Sequence, residues 1–309
     1  MKYLVLMLSI CFLLTACFTS GEAEVNEVSK PMPKDTTFLE VISEDPIVEP
    51  FIETVPRQPI SLINPDGKTV QERFLPPEGF SRVEVEHGSF KEFLRILPLM
   101  PDGSKVRFYN GREKTREVYL AVVDWSLGDR DLQQCADAVI RLRAEYFYAT
   151  NQKESIRFNF VSGFTADFTK WASGHGISVD GNTVSWVINS RNDDSFESFQ
   201  RYLDIVYAYA NTYSLENELV FKEFSQIAIG DVFIIGGFPG HCVIVVDMAV
   251  NENTGEKVFM LAQSYMPAQD IQILKGDSGD SPWYCADIND ILITPEWSFE
   301  KAQLRTWPE

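Results

Sequence analysis

The chain has 309 residues, of which 45% are apolar, 23% charged and 13% aromatic, and this composition excludes a wholly disordered protein. Its 27 Lys and Arg face 45 Asp and Glu, which gives a formal net charge of −18. Such a surface repels phosphate backbones, so we expect no nucleic-acid partner. The sequence contains no CxxC or HExxH pattern, and we therefore expect neither a bound metal nor a cofactor.

The N-terminus has the features of a targeting segment. The chain begins MKYLVLMLSICFLLTAC, and its apolar run Leu4–Leu14 is too short to span a bilayer. The sequence Leu-Thr-Ala-Cys that ends at Cys17 resembles the lipobox of bacterial lipoproteins. This resemblance implies a signal peptide over 1–16, lipidation of Cys17 and attachment to a membrane through the lipid. Phe18 follows instead of Asp, which by the same resemblance implies the outer membrane of the cell envelope. A plain signal peptide with a chance cysteine is the alternative.

Residues 17–55 predict a disordered tether. Acidic residues recur through this stretch, four prolines interrupt it, and its apolar residues show no sustained period. The alternative is that 38–42 docks on the domain as a short strand. From residue 56 the pattern becomes regular, and 56–309 is expected to form a single globular domain.

The regular part predicts an α+β fold with an antiparallel sheet. Helices are expected early and strands late, which favours this class over alternating α/β. In chain order the pattern predicts a strand at 83–85, a helix at 89–97 capped by Ser89, strands at 106–109 and 118–123 around the turn Asn110-Gly111, helices at 129–148 and 196–209, and strands at 232–235, 242–248 and 258–262, the last two joined by a turn at 251–255.

The helix predicted at 129–148 carries a cysteine near its start. Asp129 is the expected N-cap, and Cys135 lies on the apolar stripe within the opening turns. A helix N-terminus lowers the pKa of a thiol, and its free N–H groups can hold an oxyanion. Two further polar residues stand on predicted strands, namely His241 at the start of an apolar strand and Gln263 on the returning strand.

This order of residues resembles the NlpC-type and CHAP-type cysteine peptidases. The resemblance rests on the helix-start Cys135, the Gly-Asp-Val-Phe strand start at 230–233, the Gly-His pair ending at His241, and the later Gln263. It implies a papain-like core in which a Cys-bearing helix packs against an antiparallel sheet, with a helical insertion over 150–225. It further implies that Cys135 is the nucleophile, His241 the base and Gln263 the orienting residue, with Gln134 helping to hold the oxyanion.

A longer resemblance covers about residues 60–300. The sequences QQCADA (133–138), RLRAEY (141–146), GGFPGH (236–241) and AQSYMPAQ (262–269) are similar to a family of bacterial lipoproteins known only as a domain of unknown function. This resemblance supports the domain boundaries and implies no activity.

The expected function is therefore an envelope cysteine amidase or peptidase acting on cell-wall peptide. The alternatives are a non-catalytic papain-like module that binds an envelope glycan or a protein partner, and a purely structural lipoprotein. In both of these Cys135 is a core residue, as buried cysteine often is. Cys242 is expected in the core, and the sequence leaves open whether it pairs with Cys285.

Overall fold

A computed structural model describes residues 61–189 and 191–308. The predicted signal peptide, the lipidation site Cys17, the tether and the short strand at 38–42 lie outside the described residues. Among the residues that are described, no helix is both long and apolar enough to cross a membrane.

Six α-helices and fifteen strands make up the described part of the chain. The helices are α1 (Val70–Arg73), α2 (Phe90–Arg95), α3 (Cys135–Ala149), α4 (Phe168–Ala172), α5 (Phe196–Tyr209) and α6 (Thr212–Glu218). The strands are β1 (Ser81–Arg82), β2 (Tyr119–Val122), β3 (Arg157–Asn159), β4 (Thr165–Asp167), β5 (His175–Asp180), β6 (Thr183–Ile188), β7 (Val220–Phe221), β8 (Val232–Ile235), β9 (His241–Val250), β10 (Lys257–Gln263), β11 (Gln272–Leu274), β12 (Trp283–Cys285), β13 (Ile291–Ile293), β14 (Ser298–Glu300) and β15 (Leu304–Thr306).

One nine-stranded sheet organises the fold. Its strand order is β2-β11-β10-β9-β8-β15-β7, with β1 added to β9 and β12 added to β10, and its pairings are antiparallel. The central strands β9 and β10 are buried along almost their whole length. Burial on both faces explains why β9 is apolar nearly throughout instead of alternating. Helix α3 packs on these two strands. The predicted mixture of helices with an antiparallel sheet is confirmed.

Several predicted elements match the structure closely. Helix α5 and strand β8 have the predicted bounds. Helix α2 is capped by Ser89, whose hydroxyl accepts a hydrogen bond from the N–H of Glu92. Strands β9 and β10 form the predicted hairpin around 251–255. These elements have strong local signals, because caps, turns and long apolar runs act within a few residues.

The strand predicted at 106–109 is wrong. Strand β2 pairs with β11, far along the chain, instead of with this segment. The segment makes only isolated bridges, and the Val106 N–H donates to the Tyr119 hydroxyl at 3.0 Å. The strand predicted at 83–85 is displaced, because β1 ends at Arg82 and only the N–H of Val83 continues the pairing, to Met248 O. A non-local partner decides pairing in both places.

The start of the long helix also differs from the prediction. Asp129 is not its N-cap, because α3 begins at Cys135 with Gln134 as the capping residue. The Asp137 carboxylate accepts the N–H of Gln134 at 2.9 Å, which closes the helix start. Cys135 is therefore the first helical residue rather than one in the second turn.

The segment 150–225, predicted as a helical insertion, has a mixed structure. It contains the hairpins β3–β4 and β5–β6 besides helices α4, α5 and α6. Its last strand, β7, joins the main sheet by pairing with β15. The segment is thus partly integrated into the sheet.

Candidate cysteine–histidine site

The structure brings Cys135, His241 and Gln263 together. Cys135 opens α3, His241 opens β9 and Gln263 closes β10, so both strand residues lie at the same end of the antiparallel hairpin. The imidazole Nε2 of His241 lies 2.8 Å from Oε1 of Gln263. His241 and Gln263 are each 1% exposed, while Cys135 is 9% exposed.

The surroundings of Cys135 favour a thiolate. The pKa of the Cys135 thiol is held well below its usual range, first by a hydrogen bond from the Cys242 thiol and then by the hydrogen bond and charge of His241, with burial opposing them. The backbone N–H of Ala136 lowers this pKa further. Position at a helix start acts in the same direction. These contacts therefore favour the thiolate, which is the more nucleophilic form of the sulfur.

A buried carboxylate fixes the orientation of Gln263. The side-chain Nε2 of Gln263 donates to Oε2 of Glu296 at 2.7 Å, and the same carboxylate oxygen accepts from Nζ of Lys114 at 2.7 Å. Because a carboxylate only accepts, the amide nitrogen must face Glu296, and Oε1 must face the imidazole. The His241 Nε2 then carries a proton, and Nδ1 remains for the thiol. Sequence reasoning missed Glu296 and Lys114, since neither lies near the motif residues in the chain.

Three aromatic rings enclose the imidazole. The ring centroid of His241 lies 4.7 Å from that of Tyr265, 5.3 Å from that of Trp297 and 6.1 Å from that of Phe299. Rings on several sides restrict rotation of the imidazole and exclude water from it. The hydrogen bond to Gln263 is thereby kept in a low-dielectric setting, where it is stronger.

The start of α3 is tied to the segment that follows β10. Oδ1 of Asp131 accepts the N–H of Ala268 at 2.7 Å. The Ser264 hydroxyl has one hydrogen to donate and lies within hydrogen-bond distance of two carbonyl oxygens, that of Gln269 at 2.7 Å and that of Gln133 at 3.1 Å. The motifs around 133 and 262–269 therefore contact each other, and these contacts set the position of Cys135 relative to the sheet.

Gln134, predicted to help hold an oxyanion, is placed at this helix start. Its backbone N–H is taken by Asp137, and its side-chain Nε2 donates to Oδ1 of Asp131 at 3.2 Å. The second hydrogen on the Gln134 Nε2 is the one that this side chain can donate to an oxyanion. Because the helical ladder begins with the N–H of Ala138 bonded to Gln134 O, the helix does not use the N–H of Cys135.

Asp137 is a buried carboxyl group beside the thiol. Burial raises its pKa well above the usual range, and the charge of Cys135 acts in the same direction. Its Oδ1 is buried without a hydrogen-bond partner among the described residues. The raised pKa favours the neutral acid, which does not repel a thiolate at Cys135.

Cys242 lies in the core, as the sequence predicts, and its thiol contacts Cys135. It is fully buried, and burial raises its pKa well above the usual range. Cys242 therefore stays a thiol and acts as a donor. Cys285 is exposed, and both it and Cys242 are free thiols, so they do not pair with each other.

A cavity of about 540 Å³ opens over the pair. Its walls come from the start of α3, from the segment before α6, from the loop 237–240 and from Tyr265, Met266 and Trp297. At the rim the side chain of Phe238 is 93% exposed and that of Met266 is 54% exposed. A substrate therefore has a route to Cys135 and an apolar surface beside it.

The loop before β9 requires a glycine next to the histidine. A Cβ at Gly240 would lie 2.4 Å from both the carbonyl of Gly237 and the hydroxyl of Thr212. The backbone can turn into β9 here only without a side chain. The glycine of the Gly-His pair is thus explained by close approach to the cavity wall.

The described residues hold no group of three or more His, Cys, Asp or Glu side chains placed to bind a metal ion. The site instead places four side chains next to one another in space: the Cys135 thiol, the His241 imidazole, the Gln263 amide and the Glu296 carboxylate. This set supports nucleophilic and proton-transfer chemistry.

Comparison with known families gives one match. The model of a family described as "Domain of unknown function (4846)", DUF4846, matches residues 70–306. The chain belongs to this family. The resemblance to a domain of unknown function is thereby confirmed, and the DUF4846 region includes Cys135, His241, Gln263, Glu296 and Lys114. No curated protein and no solved structure matches the chain.

Proposed function

We propose that this DUF4846 protein is an envelope lipoprotein with a papain-like core that acts as a cysteine hydrolase on amide bonds of cell-wall peptide. The observation that carries the proposal is the placement of Cys135 and His241 in the wall of one open cavity, with the imidazole hydrogen-bonded to Gln263 and the charge of His241 lowering the pKa of the thiol. A nucleophile, a base and a group that orients the base are the parts that such hydrolysis needs.

In this mechanism Cys135 attacks the carbonyl carbon of the scissile amide. His241 holds the thiol proton as an imidazolium and passes it to the leaving nitrogen, so the amine departs neutral and a thioester remains on Cys135. Water then attacks the thioester while His241 takes its proton, and the carboxylic acid is released as the thiol re-forms. The negative oxygen of each tetrahedral intermediate accepts hydrogen bonds from the N–H of Cys135 and the Gln134 amide.

Gln263 and Glu296 act by positioning the base. Glu296 holds the Gln263 amide with its oxygen toward His241, and Gln263 holds Nε2 of the ring in its protonated form. Nδ1 is then directed at the sulfur throughout the cycle. A neutral amide beside the ring stabilises an imidazolium less than a carboxylate does, which suits a base that must also release its proton.

The cavity suits a peptide substrate of low charge. Among the described residues no Lys or Arg lines it, and burial raises the pKa of Asp137, whose carboxyl lies in its wall, well above the usual range. Phe238 and Met266 offer an apolar surface to a substrate side chain. Apart from the Cys135–His241 pair, whose charges offset each other, the described wall offers no ion that an uncharged peptide group would leave unpaired.

The test is cleavage of peptidoglycan peptides by the purified full-length protein in detergent. New amino termini are identified by mass spectrometry. We expect cleavage by the native protein and by Cys285→Ala, and a loss of at least 1,000-fold in Cys135→Ala and His241→Ala. If native protein binds the peptides without cutting them, the non-catalytic module replaces this proposal.

The anchor is tested separately. Cys17→Ala should release the protein from the membrane fraction or leave it unprocessed. A Cys17→Ala protein that stays in the membrane fraction at the same mature mass contradicts lipidation and leaves the hydrolase proposal untouched.

A further inference from the structure

A second cavity, of about 720 Å³, lies against α3 and is lined by a different set of residues from the cysteine–histidine site. Its wall includes Arg143, Phe147, Arg157, Asn159, Glu218 and Trp307. Nothing in the proposed hydrolysis uses these side chains. The cavity therefore calls for an explanation of its own.

The guanidinium of Arg143 is held by aromatic rings. Its Cζ lies 4.4 Å from the ring centroid of Phe147, 4.8 Å from that of Phe90 and 5.4 Å from that of Trp307. Burial lowers the pKa of Arg143 to about 10, so the group remains a cation at neutral pH. Aromatic faces stabilise the cation and fix its plane, but they accept none of its N–H groups in a strong hydrogen bond.

Among the residues that the structure describes, Arg143 makes no hydrogen bond or ion pair with a protein acceptor. Its neighbour on the same helix, Arg141, behaves differently, because it donates to the carbonyl of Ser126 at 2.8 Å and to Oε1 of Gln133 at 2.5 Å. A half-buried guanidinium has five N–H donors, and leaving them unpaired is costly. Arg143 is thus preorganised with its donors unused.

Further donors lie in the same wall. Oδ1 of Asn159 accepts from the Thr165 hydroxyl at 2.7 Å, which leaves the Asn159 amide nitrogen to donate. Arg157 is exposed and makes no ion pair within the described part of the chain. The indole nitrogen of Trp307 is buried, also without a described partner.

The charge of this wall is opposite to that of the protein as a whole. The chain carries a formal net charge of −18, yet among the described residues that line the cavity two arginines stand against one carboxyl, that of Glu218. Burial raises the pKa of Glu218 to about 7, so it is partly neutral at that pH. The local balance therefore favours an anion inside an otherwise acidic molecule.

We propose that this cavity is a binding site for an oxyanion group, a carboxylate or a phosphate, held by the guanidinium of Arg143 with Arg157 and the Asn159 amide as further donors. A planar guanidinium matches two oxygens of either group in a bidentate pair. The site is independent of the proposed hydrolase activity, so either proposal can fail alone.

The test is anion binding by the full-length protein in detergent, measured by calorimetry and by the shift in melting temperature. Inorganic phosphate and acetate are the probes, each compared with chloride at equal ionic strength. We expect saturable binding of at least one probe, weakened at least tenfold in Arg143→Met, which keeps the alkyl chain against the rings. The stronger probe tells whether the natural ligand carries phosphate or carboxylate.

Three variants complete the design. Arg112→Met removes an exposed arginine that lies over another ring, that of Phe108 at 6.0 Å, and should bind like the native protein. Arg157→Ala, at an exposed position that tolerates change, should weaken binding about threefold or more. Glu218→Gln should tighten binding at pH 8, where it removes a negative charge. Absence of saturable binding, or equal binding by the Arg143→Met and Arg112→Met proteins, overturns the proposal.

Discussion

The buried pair Lys114–Glu296 behind Gln263 should show strong energetic coupling. Its side chains are 6% and 9% exposed, and their charged atoms are 2.7 Å apart. Burial lowers the pKa of Lys114, while its hydrogen bond with Glu296 acts in the opposite direction. In Glu296→Leu, the Lys114 ammonium loses its carboxylate partner and keeps one hydrogen-bond contact with the described residues, to Oε1 of Gln272 at 3.5 Å. Removing one partner of a buried pair costs about 3–5 kcal/mol.

Removing both partners should cost much less. Lys114→Met alone should cost about 2–5 kcal/mol, because it leaves the buried Glu296 carboxylate with the Gln263 amide and the exposed Arg116, whose Nη1 is 4.0 Å from Oε1. In the double variant Lys114→Met/Glu296→Leu no buried charge remains, and the main loss is the acceptor for the Gln263 amide, about 1–3 kcal/mol. The cycle therefore predicts a coupling free energy of about 3 kcal/mol or more.

Urea unfolding followed by tryptophan fluorescence measures each corner of this cycle. The exposed pair Lys105–Glu117, with side chains 44% and 57% exposed, is the matched control and should show no measurable coupling. Additive effects of the two buried substitutions would refute the reasoning. The double variant should also show a Cys135 thiol that titrates at higher pH than in the native protein, since the imidazole is no longer oriented.

Three further predictions concern stability. Glu218→Gln should be more stable than the native protein at pH 8, by up to about 3 kcal/mol, and equal to it at pH 4. The reason is that folding raises the pKa of the Glu218 carboxyl from 4.5 to about 7, so the native protein loses stability as pH rises through that interval. Urea unfolding at both pH values checks this. Asp247→Asn should cost about 3–5 kcal/mol, since the fully buried carboxylate pairs with Arg82 at 2.6 Å and Arg95 at 2.7 Å, and thermal unfolding should show it. Asp131→Ala should cost about 0.5–2 kcal/mol by freeing the backbone after β10, and should slow any hydrolysis, which the peptide assay detects.

The parts of the fold that could be predicted from the sequence are those with local causes. The bounds of α5 and β8 and the Ser89 cap follow from periodicity and short-range hydrogen bonds. The segment 106–109 could not be placed, because the strand next to it in sequence pairs with β11 instead. The pairing of strands that are far apart in the chain depends on how the whole core packs, and a local sequence pattern carries no information about that packing.

The same distinction applies to the candidate site. The order of three residues along the chain, which resembles that of NlpC-type and CHAP-type peptidases, predicted the candidate site. The structure brings these residues, Cys135, His241 and Gln263, close together. Glu296 and Lys114 have no such order, since they are joined only by contacts across the folded sheet. In the sequence Glu296 stands beside Trp297, and this local context does not mark it as buried. The start of α3 was misplaced because Asp129 fits an N-cap locally, whereas the helix begins at Cys135 with Gln134 as the capping residue and Asp137 accepting its N–H.

The most direct test of the central claim is the pH dependence of Cys135 alkylation in the folded protein. Iodoacetamide modification is followed residue by residue with mass spectrometry, and the exposed Cys285 serves as the internal reference. We predict that Cys135 reaches half of its maximal rate well below the ordinary thiol pKa of about 8.5, and that His241→Ala moves this midpoint upward. A Cys135 that reacts only above about pH 8.5, or only after unfolding, contradicts the account.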